Sequence, residues 1–272
     1  MKQVLVTGAT DGIGRETARQ LLVLGHRVLV HGRNDSKAHG TAEALAKETG
    51  SDAAAVWGDL SRMREVVALA DQIKASAPAL DVLISNAGVY EQRRLLTTDG
   101  FELTMAVNHF APFLLVHHLL DALERAPVAR VVVVASMVHQ GAQIDLDDLT
   151  FERGYSGYDA YATSKLANVL FTRELARRLR AKGDAITANA LHPGVISTKL
   201  LHRGFGAGGA PVGKGAKTSV YLALSDEVQG VTGKYFVDCR ETKPSRLALD
   251  DTLAEALWQE SSELLRPYLG SV

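Results

Sequence analysis

Near its start the chain runs Val4-Leu5-Val6-Thr7, breaks into Gly8-Ala9-Thr10-Asp11-Gly12-Ile13-Gly14, and resumes as a helical pattern from Arg15-Glu16-Thr17-Ala18. An apolar strand feeding a helix through a glycine turn leaves few folds open, because the next strand must then cross over and pair in parallel. Glycines at 8, 12 and 14 remove side chains where backbone approaches something closely. The helix start adds unpaired N–H groups and the positive end of its dipole. The turn therefore reads as a pyrophosphate cradle for a dinucleotide, with Gly8, Thr10, Asp11, Gly12, Ile13 and Gly14 as candidate contacts. Taken alone, a glycine cluster would mean only a tight turn.

The alternation continues down the chain. Short β-rich runs at Val4–Thr7, Arg27–His31, Ala53–Trp57, Leu80–Ser85, Arg130–Ala135, Ala185–Ala190 and Lys234–Val237 predict about seven strands. Amphipathic stretches at Arg15–Leu24, Ser36–Lys47, Met63–Ala75, Phe101–Glu124, Tyr158–Arg180, Gly213–Leu224 and Asp250–Leu265 predict helices between and after them. This pattern specifies an α/β, Rossmann-type doubly wound parallel sheet with helices on both faces. The all-apolar Val131-Val132-Val133-Val134 suits a central strand with no wet side. With 272 residues, 46% of them hydrophobic, and no linker or repeat, residues 1–272 read as a single dinucleotide-binding and catalytic domain. Arg203 to Gly215 holds six glycines and a proline. That stretch is expected to hold no regular element. It reads as a flexible substrate lid near 199–215, or equally as a plain surface connection.

The second strand ends His31-Gly32-Arg33-Asn34, with Gly32 where an NAD-selective site places an acid for the ribose hydroxyls. With Arg33 and Asn34 beside it, and Arg15 near the same phosphate, the chemistry prefers NADP(H) over NAD(H). Asp35 is the one carboxylate that a bent loop would bring back. Further on, Tyr161-Ala162-Thr163-Ser164-Lys165 puts a phenol and an ammonium on one helix face. A free phenol titrates near 10, and a close Lys165 is expected to lower Tyr161 by roughly 3 units, about 4 kcal/mol. Ser136 ends the Val131–Ala135 strand, Asn86-Ala87-Gly88 ends the fourth, Asn108 lies in the next helix, and Pro193-Gly194-Val195-Ile196-Ser197-Thr198 follows the sixth. Each has a structural alternative as cap, turn or helix residue. Together they mark the edge where open α/β sheets bind ligands.

From Val4 to about Leu265 the chain resembles the short-chain dehydrogenase/reductase family. That resemblance implies a catalytic tetrad of Asn108, Ser136, Tyr161 and Lys165. It implies Asp59-Leu60 beside the adenine, Asn86-Ala87-Gly88 supporting the pocket, and Lys165 on the nicotinamide ribose. Pro193 and Gly194 open the segment in which Ile196 and Thr198 contact the carboxamide. In the implied mechanism Ser136 hydrogen-bonds the carbonyl, hydride goes to its carbon, Tyr161 protonates the oxygen, and Asn108 holds a relay water. Twenty-four residues separate Ser136 from Tyr161, more than the family usually has. With Ser164-Lys165-Leu166-Ala167-Asn168, Tyr235-Phe236-Val237-Asp238-Cys239 and Leu257-Trp258, they resemble the branch of retinol dehydrogenases and protochlorophyllide reductases. The insertion implies an extra cleft wall, and the branch implies bulky apolar substrates. No amino-terminal anchor like that of membrane-bound retinol dehydrogenases is seen, so the chemistry carries over and the retinoid does not. The expected activity is NADP(H)-dependent hydride transfer to a medium-sized, largely apolar ketone or aldehyde, or from its alcohol. A non-catalytic NADP(H) sensor or scaffold, and a reductase of an activated C=C bond, are the competing readings.

Composition narrows the partners. A net charge of −1 and a pI near 6.8 give no basic footprint for nucleic acid. The first residues lack a leader pattern, and no unbroken apolar run exceeds the five residues of Val131–Ala135, so a soluble, cytoplasmic protein with no membrane partner is expected. Cys239 stands alone as a core residue, and His117-His118 point about 100° apart on a helix, so no metal is expected. Trp57 and Trp258 read as core. Val107, Phe110, Phe113 and Leu114 form a candidate seam for a homodimer or homotetramer, internal core being the alternative.

Overall fold

The computed structural model describes residues 1–206 and 208–270, with every side chain except that of residue 203. Residues 207, 271 and 272, within the expected domain and lid, lie outside the described residues. Eight strands form one sheet: β1 (Gln3–Val6), β2 (Arg27–Gly32), β3 (Ala53–Trp57), β4 (Val82–Ser85), β5 (Arg130–Val134), β6 (Thr187–His192), β7 (Tyr235–Val237) and β8 (Arg240–Glu241). They lie in the order β3-β2-β1-β4-β5-β6-β7-β8, parallel up to β7, in register Leu5 to Leu29 and Leu83 to Val131. The order reverses between β1 and β4, which opens a crevice outside their carboxyl ends.

Strand side chains alternate between two cores because the strand period is two. Leu5, Leu29, Leu83, Val131 and Val133 face one core, shared with α3 (Met63–Ser76), α5 (Ala111–Glu124), α6 (Gly157–Lys182) and α9 (Asp251–Leu265). Val4, Val6, Val28, Val30, Ile84 and Val132 face the other, closed by α1 (Gly12–Val23), α2 (Asp35–Thr49) and α8 (Val212–Leu224). Caps set the helix limits. Asp11 accepts from Gly12 N–H, Asn34 from Lys37 N–H and Ser156 from Asp159 N–H, while Gly50 and Gly183 end α2 and α6 in the left-handed region.

Several expectations need correction. The eighth strand is a two-residue antiparallel addition, reached through a turn in which Asp238 and Cys239 have φ of 47° and 62°. Cys239 is only half-buried there, and Trp57 is 37% exposed, its ring tilted against His39. The stretch expected to be irregular, Arg203–Gly215, takes in the last residues of α7 (Lys199–Phe205), capped by Thr198 and Gly206, while α8 starts at Val212, beside the helix expected from Gly213. Local capping outweighs the glycine content. The expected helix at Phe101–Glu124 is α4 (Leu103–Met105), a π turn at Ala106–Phe110 and then α5. By length and hydropathy Leu103–Glu124 is apolar enough to cross a membrane, yet 78% of its most apolar window is buried inside the fold. Its proposed seam is likewise spent within the chain, since Val107, Phe110, Phe113 and Leu114 are all buried and Phe113 packs on Phe171 and Trp258. His117 and His118 meet the Leu269 and Tyr268 carbonyls at 3.0 and 2.8 Å, tying down the C-terminal segment.

Candidate active site

A cleft of about 1420 Å3 runs along the carboxyl edge of the sheet from Arg33 to Phe205. At its centre the glycine turn is tight on both sides. A side-chain carbon on Gly14 would stand 2.2 Å from the Gly8 carbonyl, and one on Gly8, at φ +63°, 2.9 Å from Ala87 Cα. The turn is held to β4 by Thr7 and Asn86. Thr7 Oγ accepts from Asn86 and Ala87 N–H at 2.9 and 3.0 Å, and Asn86 Nδ2 donates to the Thr7 carbonyl at 2.8 Å. His31, absent from the sequence-level site, accepts from Gly8 N–H at 3.0 Å and meets the Gly58 carbonyl at 3.0 Å through its other nitrogen. Burial keeps this imidazole neutral, with its pKa brought down to about 4.

At the β2 end, a side-chain carbon on Gly32 would lie 2.7 Å from Thr10 Cγ2, so an acid there has no room. Asp35 pairs with His39 one turn along α2 and does not line the cleft. Arg33 and Lys37 do line it, exposed, and neither has a carboxylate partner among the described residues. Lys37 carries no sequence signal beyond its charge. Asn34 departs from the expectation: it is outside the cleft lining, and its side chain is spent capping α2. Asp59 and Leu60 line the cleft after β3, Asp59 Oδ1 accepting from Ser61 N–H at 2.9 Å.

On the substrate side Ser136, Tyr161 and Lys165 share one wall. Lys165 donates to the Val134 carbonyl at 3.0 Å and stands 5.5 Å from the centroid of the Tyr161 ring, one helical turn away. Asn108 is buried in the π turn, outside the cleft lining, where its amide accepts from Val89 N–H at 2.8 Å and donates to the Val89 carbonyl at 3.0 Å. Asn108 Oδ1 and Lys165 Nζ both lie 3.5 Å from where a side-chain carbon on Gly88 would sit, so all three meet. Pro112 was the overlooked signal for the π turn, because it has no N–H to offer the Asn108 carbonyl four residues back.

The expected lowering of Tyr161 is reversed in the protein alone. Burial pushes its phenol up to about 12, the nearby Ser136 hydroxyl pulling the other way, and burial brings Lys165 down to about 8. Desolvation outweighs a cation that faces the ring rather than the hydroxyl.

Over this wall lies α7. The Val195–Ser197 segment pairs with Ala210, closing the base of the loop that carries the helix. Phe205 contacts Tyr90, Tyr161 and Tyr158 at ring distances of 5.1, 5.9 and 6.3 Å, and Lys199 pairs with Asp11 at 2.5 Å. Pro193, Gly194, Ile196 and Thr198 line the cleft beneath. Part of the insertion walls the cleft, Tyr158 packing on Phe205. Met137 and Val138 reach the cleft, whereas Ile144 and Leu146 pack on the core and Tyr155 bonds the Glu91 carbonyl at 2.8 Å.

Residues 2–205 match the family model for short chain dehydrogenase. Human Retinol dehydrogenase 14 is 40% identical, with 97% of this chain and 86% of that protein covered. The chain belongs to the short-chain dehydrogenase family. Human Polyprenol dehydrogenase is 38% identical over 96% of this chain and 84% of its own length. Among solved structures, an uncharacterised protein from Mycobacterium paratuberculosis superposes with a TM-score of 0.83 at 34% identity, over 98% of this chain and 94% of that one. A short chain dehydrogenase from Escherichia coli CFT073, complexed with NADPH, gives 0.73 at 26% identity, over 88% and 97%. This short-chain dehydrogenase is retinol dehydrogenase-like, an alcohol/carbonyl oxidoreductase using NAD(P). Its cleft fits such a dinucleotide, since the collisions a side chain at Gly8, Gly14 or Gly32 would make leave bare backbone beside the α1 N-terminus.

Proposed function

We propose that this enzyme reduces a medium-sized, largely apolar aldehyde or ketone, or oxidises the matching alcohol, with NADP(H) preferred over NAD(H). The observation that carries the reading is one cleft with Arg33 and Lys37, without carboxylate partners among the described residues, at one end and Ser136, Tyr161 and Lys165 at the other. The nicotinamide coenzyme supplies or accepts the hydride when bound. Gly8, Thr10, Asp11, Gly12, Ile13 and Gly14 would hold the pyrophosphate, and Arg33 the 2′-phosphate. Asp59 and Leu60 would flank the adenine. Asn86 and Ala87 keep the turn against β4, and Gly88 leaves space beside Lys165.

In reduction the Ser136 hydroxyl donates to the substrate oxygen, and the Tyr161 phenol then gives that oxygen its proton. Lys165, charged below its pKa of about 8, stabilises the phenolate left behind. Asn108 keeps its amide on Val89, so its own backbone carbonyl, lacking a donor at Pro112, would hold the water that reprotonates the site. Pro193, Gly194, Ile196 and Thr198 would line the nicotinamide end. Phe205, Tyr90 and Tyr158 add apolar surface over Tyr161, which suits the apolar substrates in the names of the relatives.

NADPH and NADH dissociation constants, with single-turnover reduction of all-trans-retinaldehyde and nonanal, test the reading. Arg33→Ala should weaken NADPH about tenfold or more and leave NADH nearly unchanged, a charge-assisted contact being worth roughly 1.5–3 kcal/mol. Equal weakening of both coenzymes would remove the 2′-phosphate contact. NADPH binding with no oxidation by either aldehyde would favour a sensor.

A further inference from the structure

The peptide joining Ser136 to Met137 meets a buried imidazole at each of its polar ends. His139 Nδ1 lies 2.6 Å from the Ser136 carbonyl oxygen. A carbonyl oxygen only accepts, so Nδ1 carries the proton and Nε2 must accept. It does, taking the Ser245 N–H at 3.1 Å. On the other side the Met137 N–H donates to His192 Nδ1 at 3.3 Å, which makes His192 the opposite tautomer, protonated on Nε2. The two rings come from different places. His139 sits in the 3-10 turn after β5, fully buried, and His192 is the last residue of β6, 8% exposed. The Tyr235 ring packs on His139 at 4.8 Å. Burial holds both imidazoles neutral. Only a neutral imidazole supplies a donor on one nitrogen and an acceptor on the other, which is what each position uses.

That peptide governs the aim of Ser136. The residue is extended, at φ −159° and ψ 157°, and its hydroxyl meets Val138 N–H at a long 3.4 Å and lies near the Tyr161 phenol. That peptide holds the Cα from which the hydroxyl projects and leads on to Val138, whose N–H meets it, so a shift of the peptide carries the hydroxyl with it. We propose that His139 and His192 are positioning residues, gripping the Ser136–Met137 peptide from both ends so that the serine hydroxyl stays directed at the substrate oxygen. This rests on the reading of Ser136 as the carbonyl-binding group. Displacing a reacting group by about 1 Å costs on the order of 100-fold in rate, so the grip should register in kcat.

The two nitrogens of His139 can be separated by substitution. His139→Asn places an amide nitrogen at the δ position and keeps the bond to Ser136. His139→Gln reaches the ε position and keeps the bond to Ser245. With NADPH and all-trans-retinaldehyde, His139→Gln should lower kcat roughly 10- to 100-fold with KM and the NADPH dissociation constant within about twofold, and His139→Asn should restore most of it. His192→Asn, with an acceptor oxygen at the δ position, should retain kcat, and His192→Leu should lose it. Imidazole 15N NMR of the NADPH complex should show the Nδ1–H tautomer at His139 and the Nε2–H tautomer at His192. The other tautomer at either position, or Gln and Asn variants of His139 with equal kcat, overturns the proposal. Ser136→Ala is the control: no loss of turnover overturns the reading of Ser136 and this one with it. Loss there with wild-type kcat in His139→Gln overturns this one alone.

Discussion

Tyr161 is buried as a phenol, the protonation state that donates, and Lys165 is buried as a cation that neutralises within the assay range. Burial alone sets both directions, up to about 12 for the tyrosine and down to about 8 for the lysine. In the proposed reduction charge is left on the Tyr161 phenolate oxygen, so the step should need the charged lysine. We expect the reductive kcat to be level below pH 7 and to fall as pH rises through about 8, where Lys165 loses its proton. Lys165→Met should give a low rate with no step at that pH. A wild-type profile flat to pH 10 would detach the lysine from proton transfer. Tyr161→Phe removes only the donor and should cut turnover at least about 100-fold while NADPH binds as before. Retention of a tenth of the activity would assign the proton to another group. Spacing alone puts Tyr161 and Lys165 on one face. It carries nothing about the ring-facing approach that leaves the phenol high.

At the scale of elements, α7 is the part that composition misreads. Thr198 caps its start and Gly206 its end, and pairing of Val195–Ser197 with Ala210 closes the loop beneath it. What places it over the cleft is contact with Tyr90. A side-chain carbon on Gly204 would come within 2.9 Å of that ring. Gly204→Ala should therefore shift the helix against Tyr90 and raise KM for retinaldehyde severalfold. The NADPH dissociation constant and melting temperature should move less, since Gly204 lies at the opposite end of α7 from Lys199, which meets the glycine turn at Asp11. An unchanged KM would show that α7 does not shape the substrate end. The same contrast explains which parts of the site were legible. Gly8, Gly12, Gly14, Asn86 and Ser136 follow from strand ends, where the pattern fixes position. The π turn at Asn108 and the capping role of Asn34 follow from single hydrogen bonds that periodicity does not encode.

Across the whole molecule the sheet was legible because its strands alternate between two apolar cores, and this same burial makes the fold sensitive to acid. His31 and His192 are brought down to about 4 and His109 to about 3 by desolvation. In the unfolded chain each would titrate near 6.5. Their folded values are depressed, so below pH 6.5 the unfolded chain binds protons that the fold refuses, and stability falls as pH falls. The loss continues until the folded chain takes up protons at about 4 for His31 and His192 and about 3 for His109. One unmatched proton is worth about 1.4 kcal/mol per pH unit, so three give roughly 4 kcal/mol per unit. Integrated from pH 8 down to 5 that reaches about 6 kcal/mol, within the 5–15 kcal/mol of an ordinary domain. Thermal melts from pH 8 to 4.5 should be level above about 7 and drop steeply below 6. Replacing His109 by Gln should make the drop shallower by about 1.4 kcal/mol per pH unit. A melting temperature unchanged from pH 7 to 5 would mean that these imidazoles reach water in the folded protein, contrary to their burial.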